Sequence, residues 1–177
     1  INWVTADNAP SFYDGSAKQI IPGLAANNTW TGTNVFSTVG GSKRTVKTGA
    51  ATLTAAESGA LCLFNAAAGF LYTLPATAVG LWFDFLVTVT ITSVGAKVIT
   101  PASSFIVGSF LQIPDAAGQI VAQAADGTTI RSWNGNGTTT GGYAGDRFRL
   151  TAISATVWAI EGIGLATGTE ATPFATS

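Results

Sequence analysis

The stretch of sequence that most constrains the fold is residues 81–92, LWFDFLVTVTIT. Read with a period of two residues, it has one face of large apolar side chains and one face that is mostly polar. The apolar face consists of Leu81, Phe83, Phe85, Val87, Val89 and Ile91. A helix would spread these side chains around its axis, and the many β-branched residues disfavour it. The pattern predicts the central strand of an all-β domain, a β-sandwich or jelly-roll-like fold.

Strand-like segments recur through residues 41–161, which we assign to the β-sandwich domain. We count about ten of them at the spacing of a sandwich, and no helix of normal length. Residues 93–96 (SVGA) are expected to form a hairpin-like turn, and residues 147–153 with 156–161 a closing hairpin. Residues 134–145 (NGNGTTTGGYAG) contain five glycines and are expected to form a mobile loop.

Residues 1–40 show no sustained hydrophobic period, yet they are rich in large apolar side chains. A disordered tail would hold fewer aromatic residues. We interpret this segment as an extended N-terminal arm that buries its anchors against its own domain or against neighbouring subunits, with a flexible linker as the alternative. The candidate partner-binding anchors are Trp3, Phe12, Tyr13, Ile20, Ile21, Trp30 and Phe36. Residues 162–177 are either a frayed tail or a second extended segment that docks on a neighbour.

The composition excludes several classes of function. Only 10% of the residues are charged and the net charge is -1, whereas average soluble proteins carry about 25% charged residues. Such a surface has no electrostatic footprint for nucleic acid or for an anionic membrane. The absence of histidine excludes Ser-His-Asp and Cys-His catalysis and the usual zinc sites. We therefore expect no catalytic residues, metal or cofactor, and no signal peptide or membrane helix.

Charged side chains in the predicted strands are the first candidates for a site. Asp84 and Glu161 could meet across a sheet as a catalytic carboxylate pair, but they have no supporting neighbours in sequence. Asp84 is expected either to pair with Arg147 or Arg149 or to face solvent. The two arginines alternate and share one face, where they form intersubunit salt bridges or remain solvated. Together with Phe174 they are the candidate subunit-interface residues.

Aromatic residues and the single cysteine complete the set of candidates. Trp82 and Trp133 could offer a sugar-stacking platform, although packing in a core or interface suits tryptophan better. Cys62 lies in the apolar run ALCLF and is expected to be buried and inert.

Several short motifs occur in a fixed order along the chain. Residues 53–59 (LTAAESG) are followed by LP at 74–75 and by VGLWFDF at 79–85. Residues 28–36 (NTWTGTNVF) precede them, and residues 162–177 (GIGLATGTEATPFATS) close the chain. Together these motifs resemble those of virion surface proteins of tailed bacteriophages, especially head decoration or cement proteins and head fibres.

The resemblance implies a structural virion protein without enzymatic activity. Members of this family are β-sandwich proteins, commonly trimers, that sit where capsid subunits meet. It implies binding to the major capsid protein and to other copies in a homotrimer, assembly in the host cytoplasm, and a final location on the capsid surface. The alternative is a tail-fibre or tailspike module that recognises a host-receptor glycan through the glycine-rich loop and Tyr143. A secreted carbohydrate-binding module is a third, less favoured hypothesis.

Overall fold

The structure is a computed structural model that describes the strands at residues 11–13 and 18–20 by their backbone, together with residues 44–115 and 118–177. The chain divides into two compact units, Ile1–Ser42 and Lys43–Ser177. In the first unit, β1 (Ser11–Tyr13) pairs antiparallel with β2 (Lys18–Ile20). The predicted extended arm therefore contains a short hairpin. The sequence DGSA between the two strands carries the Asp-Gly pair that is typical of hairpin turns.

The described part of the second unit is built from strands, and its only helical element is a 3-10 turn at Ala55–Glu57. In chain order the strands are β3 (Val46–Thr48), β4 (Ala51–Thr52), β5 (Leu61–Phe64), β6 (Leu71–Thr73), β7 (Trp82–Val87), β8 (Ala96–Ile99), β9 (Phe105–Pro114), β10 (Val121–Asp126), β11 (Ser132–Gly135), β12 (Arg147–Ala152), β13 (Val157–Ala166) and β14 (Phe174–Ala175). The prediction of an all-β, sandwich-like domain is confirmed.

The strands form two sheets with a shared core. One sheet has seven strands in the order β10-β9-β13-β12-β7-β5-β3, and the other has five in the order β14-β11-β8-β6-β4. Aromatic rings from the two sheets meet between them: the centroids of Trp133 and Phe148 are 4.3 Å apart, and those of Tyr72 and Phe85 are 5.8 Å apart. Such ring pairs add to the stabilisation that comes from burying apolar area.

From β3 to β9, successive strands alternate between the two sheets, so the chain winds around the core. As a result β3, β5 and β7 pair in parallel in one sheet, and β4, β6 and β8 pair in parallel in the other. The predicted hairpin-like turn at residues 93–96 is therefore wrong, because β7 and β8 lie in different sheets. Parallel neighbours need a crossover, and here the opposite sheet supplies it.

The alternation predicted at residues 81–92 is confirmed for the strand itself. Phe83, Phe85 and Val87 point into the core and are at most 1% exposed. The strand ends earlier than predicted, at Val87. Beyond it, the backbone N–H of Thr88 still donates to Phe64 of the neighbouring β5, whereas that of Ile91 donates to Gly142, so the chain turns away from β5 between these two residues.

The end of the chain belongs to the domain. The closing hairpin is confirmed, but β13 continues to Ala166, and β14 then pairs with β11 in the five-stranded sheet. Phe174 is only 6% exposed and lies in the core. The expectation of an extended C-terminal tail at residues 162–177 is thus corrected. Ala166 and Phe174 are thus buried within their own chain, whereas Leu165 remains 37% exposed.

Cys62 also lies in the core, as predicted, with no exposed surface. Burial raises the pKa of its thiol to about 12. Because the thiolate is the reactive form, this cysteine is inert in the folded protein.

Candidate functional site

The candidate site lies on the surface of the seven-stranded sheet that points away from the core, which we call the outer face. Strand register arranges its side chains in rows. One row crosses β5, β7, β12, β13 and β9 through Leu61, Asp84, Arg149, Glu161 and Ser109. The adjacent row is mostly aliphatic. It consists of Leu63, Leu86, Arg147, Ile163 and Leu111.

An ion cluster stands in the first row. The Arg149 Nε and Nη2 donate to the two carboxylate oxygens of Asp84 at 2.6 and 3.0 Å. Arg44 approaches the same carboxylate at 2.7 Å, and it also donates to the carbonyl oxygens of Gly59 and Ala60. Of the alternatives predicted for Asp84, which were Arg147, Arg149 or solvent, the structure shows pairing with Arg149.

Electrostatics indicate that this cluster is structural. Burial alone would raise the pKa of Asp84, but the hydrogen bonds from Arg149 and Arg44 outweigh it and hold the pKa below its usual value. The same hydrogen bonds raise the pKa of Arg149. Asp84 is thus an ionised acceptor already occupied by two guanidinium groups, which leaves it poorly suited to proton transfer.

The carboxylate pair considered from the sequence does not form. Arg149 stands opposite both Asp84 and Glu161 in the strand register and so separates them. Across the residues that the structure describes, no group of three or more acidic, cysteine or histidine side chains could hold a metal ion.

Two further charges lie on the outer face, and one of them, Glu161, stands opposite Arg149 and helps to raise the pKa of Arg149. Arg147 and Glu161 are both exposed, and neither forms an ion pair with another residue described by the structure. They line an open groove of about 600 Å³ together with the aliphatic side chains of Leu61, Leu86 and Ile163. Leu111 extends the apolar surface beyond the groove and is 37% exposed.

The two tryptophans considered for sugar stacking are not open platforms. Trp133 has no exposed surface and lies in the core. Trp82 is half-buried, and the guanidinium carbons of Arg149 and Arg44 lie 4.5 and 4.9 Å from its ring centroid. Its π-face is therefore engaged in cation–π contacts.

Asp146 holds the glycine-rich segment at residues 134–145 in place through hydrogen bonds. The sequence analysis did not identify this role. The carboxylate of Asp146 is buried and accepts the N–H groups of Gly142, Tyr143 and Leu165 at 2.7, 3.1 and 2.9 Å. Burial raises the pKa of Asp146, and these three donors oppose the rise.

Tyr143 is also connected to a distant part of the chain by a hydrogen bond. Its side chain is half-buried, and its hydroxyl hydrogen-bonds the Thr167 hydroxyl at 3.1 Å. The first two residues of the expected loop, 134 and 135, belong to β11, and hydrogen bonds connect the rest of the segment to the domain, while its mobility stays a prediction.

The predicted interface and anchor residues fall in three places. Arg147 and Arg149 share the outer face, as expected from their alternation, whereas Phe174 lies in the core of its own domain. Phe12, Tyr13 and Ile20 are described by backbone alone, as parts of β1 and β2. The remaining anchors lie outside the described residues: Trp3, Ile21, Trp30 and Phe36.

No family model, curated protein or solved structure matches this chain. In the described part of the chain, no helix is long and apolar enough to span a membrane.

Proposed function

We propose that this protein is a structural component of a tailed-phage virion, a decoration or cement protein that binds and stabilises the outside of the head. The observation that carries the proposal is the outer face, an open sheet surface on an internally braced two-sheet body, where a mostly aliphatic row lies beside a charged row. An open surface of this kind suits contact with other proteins better than enclosure of a small substrate. The motif resemblance points to the same class, and no catalytic role is proposed for any residue.

The proposed role is mechanical, since the protein would hold neighbouring capsid subunits together. The major capsid protein and other copies of this chain, in a homotrimer, would be the partners. Each apolar anchor buried across a joint contributes about 1.5–3 kcal/mol, and repetition over a capsid lattice multiplies that contribution. Contacts with few ion pairs are little weakened by salt, which suits a chain with only 10% charged residues. Neither nucleic acid nor a membrane is proposed as a partner.

The receptor-binding alternative depends on residues 134–145 acting as an adaptable tip. The hydrogen bonds of Asp146 and Tyr143 hold this segment against the body. A rigid tip can still recognise a glycan, but the single aromatic residue of the segment, Tyr143, is half-buried and its hydroxyl is hydrogen-bonded to Thr167. The head-surface proposal therefore has the stronger support.

Deletion of residues 1–40 tests the proposal. We expect the truncated chain to lose attachment to purified heads, because the candidate anchors Trp3, Phe12, Tyr13 and Trp30 are removed with it. Occupancy is measured by quantitative mass spectrometry of sedimented heads. The matched control is full-length Val94→Asp, a change at a 91% exposed position between β7 and β8, which should bind normally.

Circular dichroism and thermal unfolding establish that the truncated chain still folds. A folded truncated chain that coats heads at normal occupancy would contradict the clamping role of the arm.

A further inference from the structure

We infer that copies of this chain bind side by side, with β10 of one copy adding as an antiparallel strand to β3 of the next. The inference deepens the proposed function, on whose homotrimer it rests, by naming the two surfaces that meet. The occupant of each free edge is a second copy of this chain. The argument comes from the lengths, directions and register of the strands at the two ends of the seven-stranded sheet.

The first step is the open edge formed by β10. This strand pairs with β9 on one side, and no other strand in the described part of the chain pairs with it. The other three edge strands of the second unit are two or three residues long, whereas β10 has six residues, no proline, and a charge only at its last residue. Short strands, prolines and charges protect sheet edges, and a long edge without them is a template for a strand of another chain.

The second step is the direction of the two strands that end this sheet. β10 lies at one edge and β3 at the other. The pairings between them make β3, β5, β7, β13 and β9 run in one direction and β10 in the opposite direction. A rotation about an axis parallel to the strands leaves strand directions unchanged. β10 of one copy therefore meets β3 of the next as an antiparallel neighbour, which is the more stable kind of pairing.

The third step is the register, which places the two edges at the same level. The row of the outer face that contains Asp84 and Glu161 continues to Val46 of β3 at one end and to Ala124 of β10 at the other. Because the rotation also preserves the level along its axis, Val46 of one copy faces Ala124 of the next. Val46 is 53% exposed, so the contact would bury an apolar side chain that is open in the single chain.

The charges near the two edges agree with this register. Asp126 lies two residues after Ala124. Arg44 lies two residues before Val46, so antiparallel pairing places these two opposite charges across from each other. Asp126 is exposed and forms no ion pair with another described residue. The Arg44 side chain is 40% exposed and shares the single carboxylate of Asp84 with a second arginine, so a further acidic partner suits it.

A ring of copies fits these observations better than a twofold pair. A contact between two different edges is heterologous, and such contacts close into a ring when the rotation between copies allows it. A ring covers both edges of the seven-stranded sheet in every copy, whereas β10 paired with β10 across a twofold axis would leave β3 open. Three copies related in this way form the homotrimer of the proposed function.

Cysteine cross-linking of the full-length chain tests the inference in the absence of heads. Cys62 is buried and inert, so the cysteines introduced by Ala124→Cys and Val46→Cys are the reactive ones. With a short bismaleimide linker and denaturing electrophoresis, we expect neither single variant to cross-link to itself, because each contact joins two different edges. Co-expression of the two single variants should give cross-linked dimers. The double variant A124C/V46C should give products up to a covalent trimer and no larger.

Val94 provides the matched control. It is 91% exposed and lies between β7 and β8, outside both edge strands. Co-expressed Val94→Cys and Ala124→Cys chains should not cross-link. In sedimentation velocity, Ala124→Lys should raise the dissociation constant by about tenfold or more, because a lysine on an open edge opposes the addition of a strand. Val94→Lys should leave the dissociation constant unchanged.

Three results would overturn the inference. They are a full-length chain that stays monomeric at its highest soluble concentration, Ala124→Cys chains that cross-link efficiently to themselves, and associated chains in which the two different cysteines do not cross-link. Head occupancy judges the proposed function separately. Cross-linked rings that do not bind heads would contradict that function and leave the inference standing, and heads coated by chains that give no cross-links would do the reverse.

Discussion

Replacing Asp146 by alanine is expected to lower the free energy of unfolding by about 3 kcal/mol or more. The buried carboxylate accepts three backbone N–H groups, from Gly142, Tyr143 and Leu165. Alanine leaves all three donors without that acceptor in a buried site, and each such group costs about 1–3 kcal/mol. Denaturant unfolding followed by tryptophan fluorescence measures the loss, since Trp133 and Trp158 have no exposed surface.

Asp126 provides a matched control. Its carboxylate also accepts three backbone N–H groups, from Thr128, Thr129 and Ile130, but this turn is exposed and water can replace the lost acceptor. Asp126→Ala should therefore cost clearly less than Asp146→Ala. Asp146→Asn should also destabilise, because its amide group turns an NH₂ toward an N–H donor. Equal losses for D146A and D126A would contradict the role assigned to the buried carboxylate.

Gly137→Ala is expected to destabilise the protein by about 4 kcal/mol or more. A Cβ at this position would lie 1.7 Å from the carbonyl oxygen of Ile91, so the backbone of one segment would have to move. Gly137 also has a φ of 73°, in the left-handed region that a side chain disfavours. The expected result is a large fall in the unfolding midpoint in urea.

Gly168→Ala is a control that separates the effect of the close contact at position 137 from the effect of the backbone conformation. Gly168 has nearly the same φ, 70°, but a Cβ there would meet nothing within 4 Å. Gly168→Ala should therefore lower the free energy of unfolding by only about 1–2 kcal/mol, which is the cost of the left-handed conformation alone. Both substitutions also restrict the unfolded chain, which stabilises the folded protein by a similar amount in each case. This contribution therefore cancels in the comparison. Similar losses at the two positions would show that residues 134–145 are loosely packed after all.

The sequence predicted local features of the fold better than its topology. Alternation identified Phe83 and Phe85 as core residues, because a half-buried strand leaves a period of two residues in any sheet. It did not reveal that β5 and β7 pair in parallel, since alternation reports which face is buried and not which strand lies alongside. The early end of the strand at Val87 was missed for a related reason: Ile91 keeps the alternation and is buried, but through contacts made after the chain has left the sheet.

The site was predicted in part. The sequence pattern left Arg147, Arg149 or solvent as alternatives for Asp84, and the structure pairs Asp84 with Arg149. The bracing role of Asp146 was missed because one of its donors, Leu165, is 19 residues away along the chain. Next to so many glycines, an aspartate is typical of a simple turn. The abundance of glycine in residues 134–145 was taken as a sign of mobility, whereas at Gly137 it reflects the close approach of another backbone segment.

The central claim is that this chain belongs to the outer surface of a phage head. The most direct test is a cryo-electron microscopy map of emptied, tailless heads, combined with quantitative mass spectrometry of the same particles. The account predicts repeated copies of a two-sheet body on the outside of the capsid, in fixed proportion to the major capsid protein. Heads that lack this chain, with the protein found only on tails or outside the particle, would contradict it.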